Sequence, residues 1–189
     1  MNNFFKRILS AIILIPLSLY FIFHGSFMLM FFTATCFLVA CYEWHMMTKK
    51  KSFKNYGFFF LVFSFYTFYE LELTIVLFVI LICVSTDIGG YIFGKIFKGP
   101  KLTKISPNKT YAGMIGGYFL SLISLTVIIN LIDYSHIPIQ IFLLTLLIST
   151  VSQIGDIIVS YFKRLSKTKD TGRIIPGHGG LLDRIDGMI

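Results

Sequence analysis

Between Asp156 and Asp186 the chain sets four carboxylates (Asp156, Asp170, Asp183, Asp186) among six cations (Lys163, Arg164, Lys167, Lys169, Arg173, Arg184). One histidine, His178, stands in P-G-H-G-G, flanked by three glycines. Hard anionic oxygens suit a divalent metal, Lys and Arg suit phosphate, and glycine lets backbone N–H groups approach a bound anion. The window therefore points to chemistry on phosphate groups assisted by a divalent cation. Asp183 and Asp186 are spaced i, i+3, which puts both on one helix face. With Asp156 arriving from the preceding apolar run, three carboxylates are available to Mg²⁺. That ion keeps several waters and takes one or two protein carboxylates plus phosphate oxygens. The bland alternative is that Asp183, Arg184 and Asp186 solvate a helix start, where acids are favoured.

The cations carry the same double reading. Lys163, Arg164, Lys167, Lys169 and Arg173 would be an ordinary interfacial collar in most membrane proteins. The nearby Gly172 and Gly177-His178-Gly179-Gly180 are not needed for a collar, and they favour phosphate contacts for Lys163, Arg164 and Lys169. His178 is suited either to a phosphate or to a neighbouring carboxylate. A second cluster, Ser106-Pro107-Asn108-Lys109-Thr110, precedes an apolar run. Backbone N–H groups at a helix N-terminus favour anions, and Lys109 adds a point charge. No G-x-x-x-x-G-K-[ST] loop occurs, which excludes a P-loop nucleotide fold.

The elements that must position these groups are apolar. The 189 residues are 56% hydrophobic and 17% aromatic, with a mean hydropathy of +0.78. Such a chain is a polytopic membrane protein with an all-α fold. The net charge of +8 is then a topology signal and not a nucleic-acid signal. The three cysteines, Cys36, Cys41 and Cys83, lie in apolar runs and read as small packing residues. Six spans are predicted, over 8–23, 27–44, 56–69, 73–97, 111–132 and 137–162. Pro16 marks a kink in the first, and Asp133 and His136 mark the turn before the last.

With the N-terminus inside, the inside segments hold Lys6 and Arg7, then Lys49, Lys50, Lys51 and Lys54. Next come Lys95, Lys98, Lys101, Lys104 and Lys109, and finally the six cations after Asp156. Those groups take in all 17 Lys and Arg residues. The outside turns hold only His24, Glu70, Glu72, Asp133 and His136. A bias so complete supports the short third run as a true crossing and puts both charged clusters on the cytoplasmic side. Within the fourth span, Asp87 costs roughly 2.5–3.5 kcal/mol to insert unpaired, so it is expected to face the bundle interior or a polar cavity. Gly90 and Gly94, spaced small-xxx-small, would let a neighbouring helix come close.

In these motifs the chain resembles the phosphatidate cytidylyltransferases, the CDP-diacylglycerol synthases. Their signature runs S-x-x-K-R, then K-D-x-G, then P-x-H-G-G-x-x-D-R-x-D. Here it is Ser160, Lys163, Arg164, Lys169, Asp170, Gly172, Pro176, His178, Gly179, Gly180, Asp183, Arg184 and Asp186, with no fixed position missing. The resemblance implies CTP and phosphatidate as substrates and Mg²⁺ as cofactor, with a second cation left open. It implies Asp156 and Asp183 as metal ligands, and Asp186 as a third ligand or a base orienting the attacking phosphate. Asp156, Asp183, Asp186, Lys163, Arg164 and Lys169 form the expected catalytic set. Asp87, Ser106, Lys109, Thr110, Ser160, His178, Gly179, Gly180 and Arg184 are the expected substrate contacts. The family's S-P-x-K-T segment corresponds to Ser106–Thr110 and implies a role with the CTP phosphates. The family commonly has an acid before the following glycine, where this chain has Ala112 before Gly113. Glu43 and Trp44 also look like a family pair, although an interfacial aromatic belt explains Trp44 equally well.

The expected protein is thus one membrane domain over 1–189, with N-terminal helices over 1–97 and a catalytic part over 98–189. It sits in a bacterial cytoplasmic membrane, its site facing the cytoplasm, with no nucleic-acid partner and a homodimer as the assembly to consider. The resemblance implies a further helix after Asp186, and the expectation is that a chain ending at Ile189 is a fragment or shortened relative. Other classes are a nucleotide-dependent lipid kinase, an alcohol phosphatidyltransferase, or an inactive lipid-binding relative. The phosphatidyltransferase D-G-x-x-A-R motif is absent, and the carboxylates that an inactive relative would lose are present.

Overall fold

The computed structural model describes residues 3–24, 26–49, 51–131, 138–175, 177 and 179–189. Seven helices follow in order: α1 (Asn3–Phe23), α2 (Ser26–Thr48), α3 (Lys54–Glu70), α4 (Leu73–Phe97), α5 (Tyr111–Leu131), α6 (Ile139–Leu165) and α7 (Leu182–Ile185). Among the described residues there is no strand, only two isolated bridges. The all-α membrane fold read from composition is what the chain adopts. Each predicted apolar run is a helix, and α1 continues through Pro16. Segments 27–48, 73–97, 111–130 and 139–165 are long and apolar enough to cross a bilayer. The expected turn at Asp133 and His136 lies outside the described residues.

The chain forms two compact units. The first comprises Met1–Leu73, Phe162–Gly187 and Ile189. Here α2 packs against α1, α3 and α7. Its core is Ala40, Trp44, Met47, Leu61 and Leu182, with Phe37, Phe53, Phe65 and Phe162 around them. Trp44 is a core residue and not a belt residue: it is buried, and its indole N–H donates to the Lys54 carbonyl at 2.8 Å. A buried indole needs such a partner.

The second unit comprises Thr74–Tyr161 and Met188. Backbones of α4 and α5 touch here because both helices carry glycine at the crossing. A Cβ on Gly89 would collide with the Gly116 carbonyl, and one on Gly113 would lie 2.7 Å from the Gly90 carbonyl oxygen. Gly94 packs against Gly113 and Thr110, the close approach that its spacing from Gly90 predicted. Hydroxyls tie the helices further: Ser85 to Ser124 at 2.7 Å, Thr86 to Ser149 at 2.9 Å and Tyr118 to Thr150 at 2.8 Å. Asp87 is exposed on α4 rather than packed between the helices.

Candidate functional site

In the first unit the chain leaves α6 through a Schellman turn. Lys167, at φ 59°, takes the left-handed position usually given to glycine. The Thr168 N–H donates to the Lys163 carbonyl and the Lys167 N–H to the Arg164 carbonyl, both at 3.0 Å. This stop leaves the Lys163 side chain in the last turn of α6, only 8% exposed. Its ammonium lies 2.9 Å from Asp183 Oδ1 and 3.6 Å from Asp186 Oδ2. The i, i+3 spacing does bring Asp183 and Asp186 to one partner, and that partner is Lys163.

Asp183 has further work. Its Oδ2 accepts the Thr171 N–H at 2.9 Å and the Gly180 N–H at 3.0 Å. Burial pushes its carboxyl up. The Gly180 N–H, the Lys163 ammonium and the Thr171 N–H outweigh that and hold it below the ordinary aspartate value. Gly179 turns the chain at φ 87° and closes a bridge with Ile175, whose N–H reaches the Gly179 carbonyl at 2.9 Å. Arg164, Lys169 and Arg184 are exposed, with Arg164 donating to the Thr168 carbonyl at 3.3 Å. His178 lies outside the described residues.

The sequence marked Glu43 only as half of a family pair with Trp44, and the structure makes it a buried carboxylate of this unit. Glu43 of α2 is 1% exposed and accepts the Leu181 N–H at 2.9 Å, the Leu182 N–H at 2.9 Å and the Thr171 hydroxyl at 3.0 Å. The available signal was an acid inside an apolar run, the same signal that singled out Asp87.

In the second unit, Lys109 pairs with Asp156 at 2.5 Å and also lies 3.5 Å from the Gln153 carbonyl. The loop that brings Lys109 there is pinned by a Lys101–Thr110 bridge and by the Leu102 N–H on the Lys109 carbonyl at 2.8 Å. The Ser106 carbonyl accepts from the Lys109 N–H at 3.1 Å. Thr110 is the N-cap of α5, its hydroxyl accepting the Gly113 N–H at 3.1 Å. The Tyr111 N–H is held by the Pro100 carbonyl at 3.2 Å. The α5 N-terminus is therefore partly satisfied by the protein, which narrows the bare anion seat expected there. Ser160 of α6 is buried.

Among the described residues, no three His, Cys, Asp or Glu side chains converge as a metal-holding group. The donor chemistry nevertheless fits a hard divalent cation. Asp183 and Asp186 in the first unit, and Asp156 in the second, supply hard anionic oxygens, each now paired with a lysine ammonium. Asp183 is held in its charged form, and a carboxylate offers about four lone-pair sites, more than its three protein donors use.

Comparison with known proteins agrees with this chemistry. The family model described as the cytidylyltransferase family matches residues 55–189. A phosphatidate cytidylyltransferase of Staphylococcus aureus is 43% identical over 130 residues, covering 67% of this chain and 50% of that protein. One of Staphylococcus saprophyticus is 43% identical over 115 residues, covering 60% of this chain and 44% of the relative. One of Brucella suis is 42% identical over 120 residues, covering 61% and 43%. The chain thus spans about half the length, or less, of the curated relatives it matches.

Proposed function

The chain belongs to the cytidylyltransferase family, and from that premise we propose that it makes CDP-diacylglycerol and pyrophosphate from CTP and phosphatidate. The observation that carries this reading is the buried Lys163 ammonium held against Asp183 and Asp186 where a membrane-length apolar helix ends. That is where a lipid phosphate group meets water. A phosphatidate phosphate oxygen attacks the α-phosphorus of CTP. The bond from that phosphorus to the bridging oxygen breaks, and pyrophosphate leaves with the electron pair. A phosphate monoester has its second pKa near about 6, so the nucleophile is already charged at neutral pH and no strong base is required.

The residues bind and orient. Lys163 has three N–H donors, and a lipid phosphate takes one that the two aspartates leave. Lys109 binds the nucleotide phosphates, with Asp156 setting the direction of its ammonium. Arg164 and Lys169, both exposed, receive the pyrophosphate. Asp156, Asp183 and Asp186 are the carboxylates we assign to Mg²⁺, which when bound offsets charge on the phosphates and on the leaving group. Positioning and fixed charge supply most of the rate in such transfers.

The same reading gives six spans with the N-terminus in the cytoplasm of a bacterial cell, supported by the grouping of all 17 cations. The test is direct. Vesicles holding the full natural polypeptide, given labelled CTP and phosphatidate, are expected to form labelled lipid and release pyrophosphate only with Mg²⁺. Release of a nucleoside diphosphate would identify a lipid kinase instead, and no transfer of label would defeat the proposal.

A further inference from the structure

We propose that Glu43 is a positioning residue for the transfer reaction, acting through the backbone that aims Asp183 and Lys163; this rests on the function proposed above. Glu43 lies in α2, far from this loop in sequence, yet its carboxylate accepts two backbone N–H groups and one hydroxyl there. A buried carboxylate is tolerated only when such donors replace water, and charge-assisted hydrogen bonds are the strong ones. The donors are specific in position. Leu181 and Leu182 open α7, whose first N–H groups have no partner within the helix, and Leu181 supplies no side-chain cap. Glu43 therefore provides from a distant helix the acceptor that a local Ser or Asp would normally supply.

Asp183 grips the same backbone from the other side. It accepts from Thr171 and Gly180, while Glu43 accepts from Thr171, Leu181 and Leu182. Between them the two carboxylates fix residues 180–182 and Thr171, and with them the direction of the Asp183 side chain toward Lys163. The glycines confirm how closely Glu43 is fitted. A Cβ on Gly172 would lie 2.7 Å from Glu43 Oε1, and one on Gly180 would collide with Glu43 Oε2 and the Thr171 hydroxyl. Leu182 is buried in the α2–α3 core, so α7 is held by packing as well. Loss of the Glu43 acceptor should then loosen aim before it destroys fold.

Glu43→Gln keeps the volume but turns an amide N–H₂ toward backbone donors. In the full natural protein, assayed per folded molecule, it is expected to lower kcat about tenfold to a hundredfold, with KM for CTP and phosphatidate within about threefold. Leu181 and Leu182 amides should exchange hydrogen about tenfold faster. Gly180→Ala, which leaves Glu43 in place but drives a methyl into its carboxylate, should give the same split if Glu43→Gln fails to fold. Unchanged kcat in whichever variant folds, or unchanged amide exchange, would overturn the proposal. A wild type that releases no pyrophosphate would remove the reaction itself, while faster exchange in Glu43→Gln would still show that Glu43 holds the loop. The two failures are therefore distinguishable.

Discussion

Lys163 and Asp183 form an ion pair of 2.9 Å between the last turn of α6 and the four-residue α7. A helix this short has no stability of its own, because nucleation costs more than its few hydrogen bonds return. The position of Asp183 is therefore set by its partners: Lys163, the Thr171 N–H and the Gly180 N–H. An ammonium and two amides converging on one carboxylate make a preorganised anionic group beside a buried cation.

Asp183→Asn keeps the shape and removes the charge. It also turns an N–H₂ group toward donors. Turnover of pyrophosphate release should fall at least about a hundredfold, as expected for a lost transition-state electrostatic contact. Asp156→Asn, which uncouples Lys109, should do the same. Near-normal turnover in either folded variant would sink the assignment of these carboxylates to Mg²⁺.

The depressed Asp183 pKa makes a signed prediction about acid stability. An unfolded aspartate titrates near about 3.9, and the folded one titrates lower. Its contribution is fully present above the unfolded value and is lost as pH falls through the folded value. The stability gap between wild type and Asp183→Asn, followed by thermal unfolding in detergent, should be constant from about pH 7 to 5 and shrink below about 4. A gap that stays constant into strong acid would mean that the carboxylate's charge is not what stabilises the loop.

The parts of the fold that follow from hydropathy and local signals were open to the sequence. Helices α4, α5 and α6 lie where the apolar runs placed them. The spacing of Asp183 and Asp186 put them on one face, and Lys163 lies near both. What escaped was set by tertiary contact. No spacing rule links Glu43 to Thr171 or Leu182, which are 128 and 139 residues away. The identity of Lys163 as the shared partner depends on how the chain folds back after the Schellman turn. Trp44 was ambiguous for the same reason, since an indole suits an interface or a core, and only the neighbouring Phe53 and Phe162 decide which.

Half-buried Lys109 and buried Lys163 should divide the substrates. Lys109→Ala is expected to raise KM for CTP well above any change for phosphatidate, because it stands before α5 at the segment assigned to nucleotide phosphates. Lys163→Ala should show the reverse bias, together with some loss of stability from leaving Asp183 without its ammonium. Equal effects on both Michaelis constants in both variants would show that the cations have been divided wrongly.

The α4–α5 crossing can be tested by adding one methyl. Gly89→Ala places a Cβ against the Gly116 carbonyl, a backbone atom that cannot swing aside. Overpacking of this kind typically costs about 1–3 kcal/mol. A lower unfolding midpoint in detergent is the expected result, and an unchanged midpoint would mean that the helices sit farther apart than described.

Whether α3 crosses the membrane decides where the Lys98–Lys109 loop lies. At 17 residues and about 1.5 Å per residue, α3 spans about 25 Å, somewhat short of a hydrocarbon core of about 30 Å. Local thinning of the bilayer costs only fractions of a kcal/mol per Å of mismatch, and the stem of Lys54 can reach toward the interface. Without this crossing, five lysines from Lys95 to Lys109 would face outward, against the charge bias of every other segment. The expectation is tested in a background where Cys36, Cys41 and Cys83 are replaced by alanine. Lys51→Cys and Lys101→Cys should react with an impermeant maleimide only from the cytoplasmic side, and Glu72→Cys only from the outside. Reaction of Lys101→Cys from the outside would show that α3 does not cross, and would move Lys109 away from the compartment that supplies CTP.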